Sequence, residues 1–210
     1  MDAILCRQYW VFDLDGTLTL PVHDFAVIRQ RLSVPEGLDI LGYLSSLPEH
    51  EARPLYEKLQ EIEVGLLYRV EPAQGLLQLI RILHERNARF GILTRNTREI
   101  AIKTLERLGV LEYFTEESIL GRECALPKPD PQGLFLLSEQ WGAAPEDLVM
   151  MGDYVFDLQT GRNAGAATIH VDRTGSYSWP ELTDIGVATL TELHAMLAVQ
   201  SCGPSMLLSI

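Results

Sequence analysis

The sequence predicts an α/β protein: a parallel sheet with helices on both faces, plus a small all-helical insertion. Three observations predict it. Four short apolar runs, Tyr9–Leu14, Arg89–Leu93, Leu148–Met151 and Ala167–Val171, lack the alternation of a strand with one wet face and read as strands buried on both sides. Helical patterns separate the later runs, which implies βαβ crossovers. The segment 21–71, after the first run, carries helix signals and no strand signal.

Taken in order, Tyr9–Leu14 is the first strand, and Leu20–Pro21 is the entrance hinge of the insertion. Inside it, His23–Leu32 and Glu51–Val70 read as helices, with Leu38–Leu47 a shorter third; Glu71–Pro72 is the exit hinge. Compact domains rarely hold an unstructured insertion of that length, so residues 21–71 are expected to form a helical cap. The helix Gln74–Arg86, the strand Arg89–Leu93 and the helix Arg98–Leu108 follow. A weak strand signal near Ser118–Leu120 precedes the helix Pro131–Trp141, the strand Leu148–Met151, the helix Asp157–Ala164 and the strand Ala167–Val171. A Gly/Ser/Thr-rich stretch then leads to a last helix around Leu190–Val199. Residues 1–20 and 72–200 make up the expected core, and 201–210 a tail without signals.

At 210 residues and 23.5 kDa, the chain can bury one core and carry an insertion. A composition of 47% hydrophobic and 22% charged residues is that of a globular protein. The net charge of −12 argues against nucleic acid or an anionic membrane as a partner, since both require a basic face. It leaves room for a small phosphorylated substrate, because one site can be locally positive. Cys6, Cys124 and Cys202 are widely spaced and suit a reducing compartment. No apolar run approaches the ~18 residues of a membrane span, and no basic region leads into an apolar signal stretch. The expectation is a cytoplasmic protein, and nothing in the sequence sets an oligomeric state.

In a parallel sheet all strand C-terminal ends lie on one edge, where ligands bind. After the first strand come Asp13, Asp15, Gly16 and Thr17; after the second, Thr94, Arg95 and Asn96; after Leu148–Met151, Asp153 and Asp157. Lys128 sits between two prolines ahead of the helix at Pro131. Each has a plainer reading alone: an Asp-Gly turn, Thr94 as a helix N-cap, Lys128 as a surface lysine, Asp153 and Asp157 as caps. If Tyr9–Leu14 is a strand, Asp13 and Asp15 point the same way and repel, which a divalent cation would offset. Four acids, a hydroxyl and an ammonium on one edge suit phosphoryl transfer: a carboxylate nucleophile, an acid/base, oxygen ligands for Mg²⁺ and two groups to hold phosphate.

These stretches, "DLDGT" (Asp13–Thr17), "LTRN" (Leu93–Asn96), "PKPD" (Pro127–Asp130) and "GDYVFD" (Gly152–Asp157), resemble the four motifs of the haloacid dehalogenase-like hydrolase superfamily, in its order. The resemblance implies a Rossmann-like core and places an insertion after the first motif as a helical cap. It implies Asp13 as nucleophile, Asp15 as general acid/base, Thr94 as a phosphate ligand, and Lys128 as support for both nucleophile and phosphate. Mg²⁺ would take Asp13, the Asp15 carbonyl and Asp153, with Asp157 a ligand or a neighbour of one. Beside these, Gly16, Thr17 and Asn96 are expected to complete the substrate site, and Arg95, which follows the phosphate-binding threonine, to meet an anionic substrate group. Tyr154 departs from the small residue many relatives carry there, and the cap is shorter than that of typical phosphoglycolate phosphatases.

The resemblance implies a Mg²⁺-dependent phosphatase of a small metabolite, similar to phosphoglycolate phosphatase. The alternatives are a phosphomutase of the same superfamily and a catalytically silent binding protein on the same fold. The dehalogenase branch works without metal and lacks an acid at the place of Asp15. No Walker loop, GxSxG elbow, HExxH or paired-cysteine site competes. Of five scattered histidines, His23 at the cap entrance is the one expected to reach substrate, and Arg69, near the second hinge, is a weaker candidate.

Overall fold

The computed structural model describes residues 2–200. In chain order its elements are α1 (Asp2–Leu5), β1 (Tyr9–Phe12), α2 (Phe25–Leu32), α3 (Ile40–Ser46), α4 (Glu49–Leu66) and α5 (Leu76–Glu85). They continue with β2 (Arg89–Leu93), α6 (Arg98–Leu108), β3 (Ile119–Leu120), α7 (Gln132–Trp141), β4 (Leu148–Gly152), α8 (Val155–Ala164), β5 (Ala167–Val171), β6 (Ile185–Val187) and α9 (Leu190–Val199). The six strands form one parallel sheet in the order β3-β2-β1-β4-β5-β6. This is a Rossmann-like α/β sheet.

Strand alternation sends β1 into two cores. Trp10 and Phe12 face the cluster built with Leu79 and Leu83 of α5, Leu105 of α6 and Leu193 of α9. Val11 faces the other side, with Leu134, Leu137 and Trp141 of α7 and Met150 of β4. All three β1 residues are fully buried, as a central strand covered on both faces requires. Replacing Trp10 or Phe12 by Ala would cost about 3–5 kcal/mol.

The chain leaves β1 for β2 on one side and for β4 on the other, so the crevice beyond its C-terminal end is the switch point where ligands bind. The helices α2, α3 and α4 gather over their own apolar cluster, which includes Ile28, Leu32, Leu44, Leu59 and Ile62. Asp24 starts α2 by accepting from Ala26 and Val27 N–H, both at 3.1 Å, and Asp39 starts α3 by accepting from Gly42 N–H at 2.7 Å. The segments entering and leaving these helices lie side by side: Leu20 N–H donates to Glu71 O, Ala73 N–H donates to Leu18 O, and Thr19 bridges Pro72.

Several expectations shift. The strand β1 ends at Phe12, because the chain folds back on Leu14, whose carbonyl accepts from the N–H groups of Thr17, Leu18 and Thr19. Asp13 and Asp15 therefore stand on a loop, and strand alternation does not set their directions. The helix expected from Asp157 starts at Val155, which puts Asp157 in its first turn. The short elements α1 and β6 carried no sequence signal; β6 has only three residues, one of them Gly186. Among the described residues, no helix is long and apolar enough to cross a membrane.

Candidate active site

The first aspartate is held by the sheet: Asp13 N–H donates to Met151 O at 2.8 Å, extending the β1–β4 ladder by one bond. Beyond the buried Leu14, the loop turns at Gly16, whose φ is +88°. A Cβ there would lie 2.2 Å from Asp153 Oδ2, so only glycine lets this loop pass against Asp153. Gly16 N–H donates to Thr19 Oγ1 at 3.2 Å, and the buried Thr17 donates its hydroxyl to Asp153 Oδ1 at 3.4 Å. Thr17 thus braces an acid from inside the loop.

From the end of β2, the buried Thr94 donates its N–H to Leu120 O at 3.0 Å, while its Oγ1 accepts from Asn96 N–H at 3.1 Å. The N-cap of α6 is Thr97 instead, which leaves Thr94 directed to the crevice edge. Asn96 Nδ2 donates to Asp15 Oδ2 at 2.5 Å. Arg95 lines the same cavity, but its Nη2 donates to Asp39 Oδ2 at 2.5 Å and its guanidinium carbon lies 4.9 Å from the Phe156 ring centroid.

Lys128 is 4% exposed, so it is no surface lysine. Its Nζ donates to Asp13 Oδ1 at 2.5 Å and to Asp157 Oδ1 at 2.6 Å. Burial alone would lower its pKa, but the two carboxylates outweigh that and raise it, so the ammonium stays charged. Asp157 serves both readings at once: its Oδ2 accepts from Tyr154 N–H at 3.0 Å at the start of α8 while its Oδ1 holds Lys128. A Cβ on Gly152 would lie 2.2 Å from Asp157 Cβ, so a glycine at the end of β4 admits that close approach.

Carboxylate oxygens of Asp13, Asp153 and Asp157 lie within 4.8 Å of one another. Burial is the first cause raising all three acids. Asp153 is pushed up to about 8, with the charges of Asp13 and Asp157 adding to burial, and Asp157 to about 6 against the pull of Lys128. Asp15 is raised to about 6 by burial, against the hydrogen bond from Asn96 and the charge of Lys128. Hard oxygen donors with surplus negative charge in a desolvated cluster are the donor set that Mg²⁺ satisfies.

Residues of α2, α3 and α4 and the segments joining them supply the rest of a cavity of about 460 Å³. His23 Nδ1 lies 3.7 Å from Asp15 Oδ1, and its ring stacks on Phe25 with centroids 5.6 Å apart. Burial lowers the His23 pKa, so near neutral pH this contact is no ion pair. Arg69 is exposed and does not line the cavity, so its expected reach to substrate is not met. Sequence reasoning missed Asp39, Phe156 and Glu63. Glu63, buried on α4, accepts from Arg122 Nη1 at 2.7 and 2.9 Å, and burial raises its pKa against that pairing. No local signal marks them, since each meets its partner, Arg95 for Asp39 and Phe156 and Arg122 for Glu63, across a long stretch of chain.

The arrangement places a carboxylate beside a buried ammonium at the floor of a cavity, with a second acid whose pKa of about 6 lets it both give and take a proton. Residues 30–171 match the family model described as haloacid dehalogenase-like hydrolase, a span that includes Thr94, Lys128, Asp153 and Asp157. A haloacid dehalogenase-like hydrolase domain-containing protein of Arabidopsis thaliana is 29% identical over 91% of this chain and 81% of its own length. A phosphoglycolate phosphatase of Agrobacterium fabrum is 26% identical over 77% of this chain and 78% of its own. The crystal structure of a hydrolase from Pseudomonas syringae shares the fold with a TM-score of 0.74 at 21% identity, covering 93% of this chain and 100% of that one. Matched over more than half its length, the chain belongs to the haloacid dehalogenase-like hydrolases.

Proposed function

We propose that this hydrolase is a Mg²⁺-dependent phosphatase that cleaves a small phosphorylated metabolite through an aspartyl phosphate on Asp13. The observation that carries the reading is the Lys128 ammonium held 2.5 Å from Asp13 Oδ1 in a cavity that Asp15 and Asp153 also line. The phosphatase name of the Agrobacterium relative supports the same reaction class.

Asp13 attacks phosphorus, and the bond to the leaving oxygen breaks as Asp15 gives that oxygen its proton. Asp15 then takes a proton from water, the hydroxide attacks phosphorus, and the Asp13 carboxylate is released with inorganic phosphate. Lys128 and Thr94 hold phosphate oxygens, Asn96 fixes the Asp15 carboxyl, and Gly16 and Thr17 set the loop. Asp13, Asp153 and the Asp15 carbonyl would hold Mg²⁺, while Asp157 serves chiefly as the anchor of Lys128. When bound, Mg²⁺ lowers the repulsion between the anionic phosphate and the anionic nucleophile. The cap, residues 21–71, covers the reacting centre, and His23 and Arg95 face the leaving group.

Phosphate release from p-nitrophenyl phosphate and from a metabolite panel, with Mg²⁺ or with chelator, tests this. Release that requires Mg²⁺ and falls by about 10⁴-fold or more in a folded Asp13→Asn protein is the expected result. Release unchanged in that variant removes Asp13 as nucleophile. Transfer of the phosphoryl group to a second sugar hydroxyl in place of water would make the protein a phosphomutase, and no turnover of any ester would leave it a binding protein.

A further inference from the structure

We propose that Tyr154 and Phe25 form an aromatic platform at the mouth of the cavity, which selects phosphate esters whose leaving group carries an aromatic ring. This rests on the phosphatase reading above and narrows it.

Exposed apolar side chains are ordinary when they stand singly. Phe25, Leu38 and Tyr154 do not: they are 54%, 47% and 52% exposed, and all three line the cavity that Asp13 and Lys128 also line. A side chain that is half in water and also part of a cavity wall stands where the cavity opens. Phe25 is the first residue of α2, Leu38 stands just ahead of α3 and Tyr154 just ahead of α8. Three separate segments thus bring apolar surface to one opening. An occupant that covers it removes that surface from water.

Both rings are held in place by other rings. Tyr154 meets Phe156 edge to face with centroids 5.2 Å apart, and meets Trp179 in the same way at 5.6 Å. Trp179 packs in turn on the buried His170 ring at 5.2 Å. Phe25 stacks on His23 at 5.6 Å, with 14° between the planes. Rings fixed in this way lose little freedom when a ligand packs on them, so more of the contact is kept as affinity. An aromatic ligand adds edge-to-face or offset stacking, which a saturated group of similar size lacks.

The rest of the cavity agrees with such a leaving group. Ile28, Leu41 and Leu59 continue the wall as buried apolar side chains. At about 460 Å³, the cavity lies in the range of sites that enclose whole small molecules. The charged groups on this wall are largely spent on one another, Arg95 with Asp39 and Glu63 with Arg122. Arg29 donates through Nε to Leu38 O at 3.2 Å, and its charge acts on Asp39. An anionic leaving group is the rival that Arg29 would favour.

Four esters test this. Ethyl phosphate and 2-phenylethyl phosphate both release a primary alkoxide and differ by the ring. In 2-cyclohexylethyl phosphate the ring is saturated, and in phosphoglycolate a carboxylate takes the place of the ethyl group's methyl. The full chain with Mg²⁺ should show about tenfold or more higher kcat/KM for the phenylethyl than for the ethyl ester. It should prefer the phenylethyl to the cyclohexylethyl ester several-fold. Tyr154→Ala and Phe25→Ala should each lower the phenylethyl-to-ethyl ratio several-fold, mainly through a higher KM for the ring-bearing ester. Tyr154→Phe should keep it. The alanine at 154 retains the N–H that Asp157 accepts, so the start of α8 stands. The proposal is overturned if any of the other three esters reacts as well as the phenylethyl ester, or if neither alanine variant moves the ratio. If p-nitrophenyl phosphate and all four esters fail to react, the phosphatase reading falls. The platform is then read from calorimetric affinities of the phenylethyl and ethyl esters, where tighter binding of the former supports it and equal binding overturns it.

Discussion

Asn96 Nδ2 donates to Asp15 Oδ2 at 2.5 Å, tying the loop after β2 to the loop after β1. Burial raises the Asp15 pKa to about 6, and this hydrogen bond is the largest influence holding it down. Asn96→Ala should therefore raise it further. In the proposed first step Asp15 must be protonated, so activity on an alkyl phosphate falls as pH climbs past its pKa. The variant should carry that fall to higher pH, and kcat/KM below it should drop by about tenfold as the carboxyl loses its fixed orientation. A pH profile of kcat/KM checks this; a basic limb that stays in place would detach Asn96 from the acid.

That pair was half legible in the sequence. Asp15 and Asn96 each follow a strand, and strand ends in a parallel sheet meet on one edge, so the edge could be assembled without knowing any side-chain direction. Asp153 is legible the same way, and Lys128 by its place between two prolines ahead of the helix at Pro131. What escaped was everything that depends on the docking of one helical layer on another. The Asp39–Arg95 bond spans 56 residues and the Glu63–Arg122 bond 59, and neither leaves a periodic trace. Arg69 failed for the matching reason: nearness to a hinge in sequence does not fix which way a side chain faces. The plainer readings divide. Thr94 lies too early to cap α6, a task done by Thr97, whereas Asp157 both steadies the start of α8 and holds Lys128.

The acid cluster should make the metal-free protein less stable as pH rises. Burial, then Asp13 and Asp157, push Asp153 up to about 8 from an ordinary value near 3.8. Between those values the folded state binds more protons than the unfolded state, so stability declines with rising pH, by at most about 1.4 kcal/mol per pH unit for this one group. Asp15 and Asp157, both about 6, add to the decline below pH 6. The lowered His23 opposes it near pH 6, and the lowered Asp39, Asp172 and Asp184 act only near and below pH 4. Melting curves in chelator should thus show Tm falling from pH 5 to pH 8, with a shallower fall in Asp153→Asn. Mg²⁺ should raise the wild-type Tm more at pH 8 than at pH 5; an equal rise at both would mean the ion binds elsewhere.

His23 and Arg69 should separate cleanly. His23 lines the cavity 3.7 Å from Asp15, while Arg69 is exposed and outside it. His23→Ala opens space beside the leaving group and should change relative rates across a panel of phosphate esters. Arg69→Ala should leave every rate within about twofold, as a surface substitution does. A uniform loss in His23→Ala would assign that ring to folding or to the chemistry itself.

The two aspartates after β1 should differ by leaving group. Asp13 attacks phosphorus whatever departs, but Asp15 matters in the first step only when the departing oxygen needs a proton. An alkoxide leaves poorly without one, whereas p-nitrophenolate leaves readily. General acid catalysis is worth roughly 10²–10⁴-fold where it is needed. Asp15→Asn should therefore slow formation of the aspartyl phosphate from an alkyl phosphate far more than from p-nitrophenyl phosphate. Steady-state rates would blur the contrast, because the same residue activates water in the second step. A pre-steady-state burst with both substrates, on wild type and variant, isolates the first step. Asn at this position can still accept from Asn96 Nδ2, so the loop should keep its place. Equal losses for the two leaving groups would mean that Asp15 works by holding the site's geometry and not by giving up its proton.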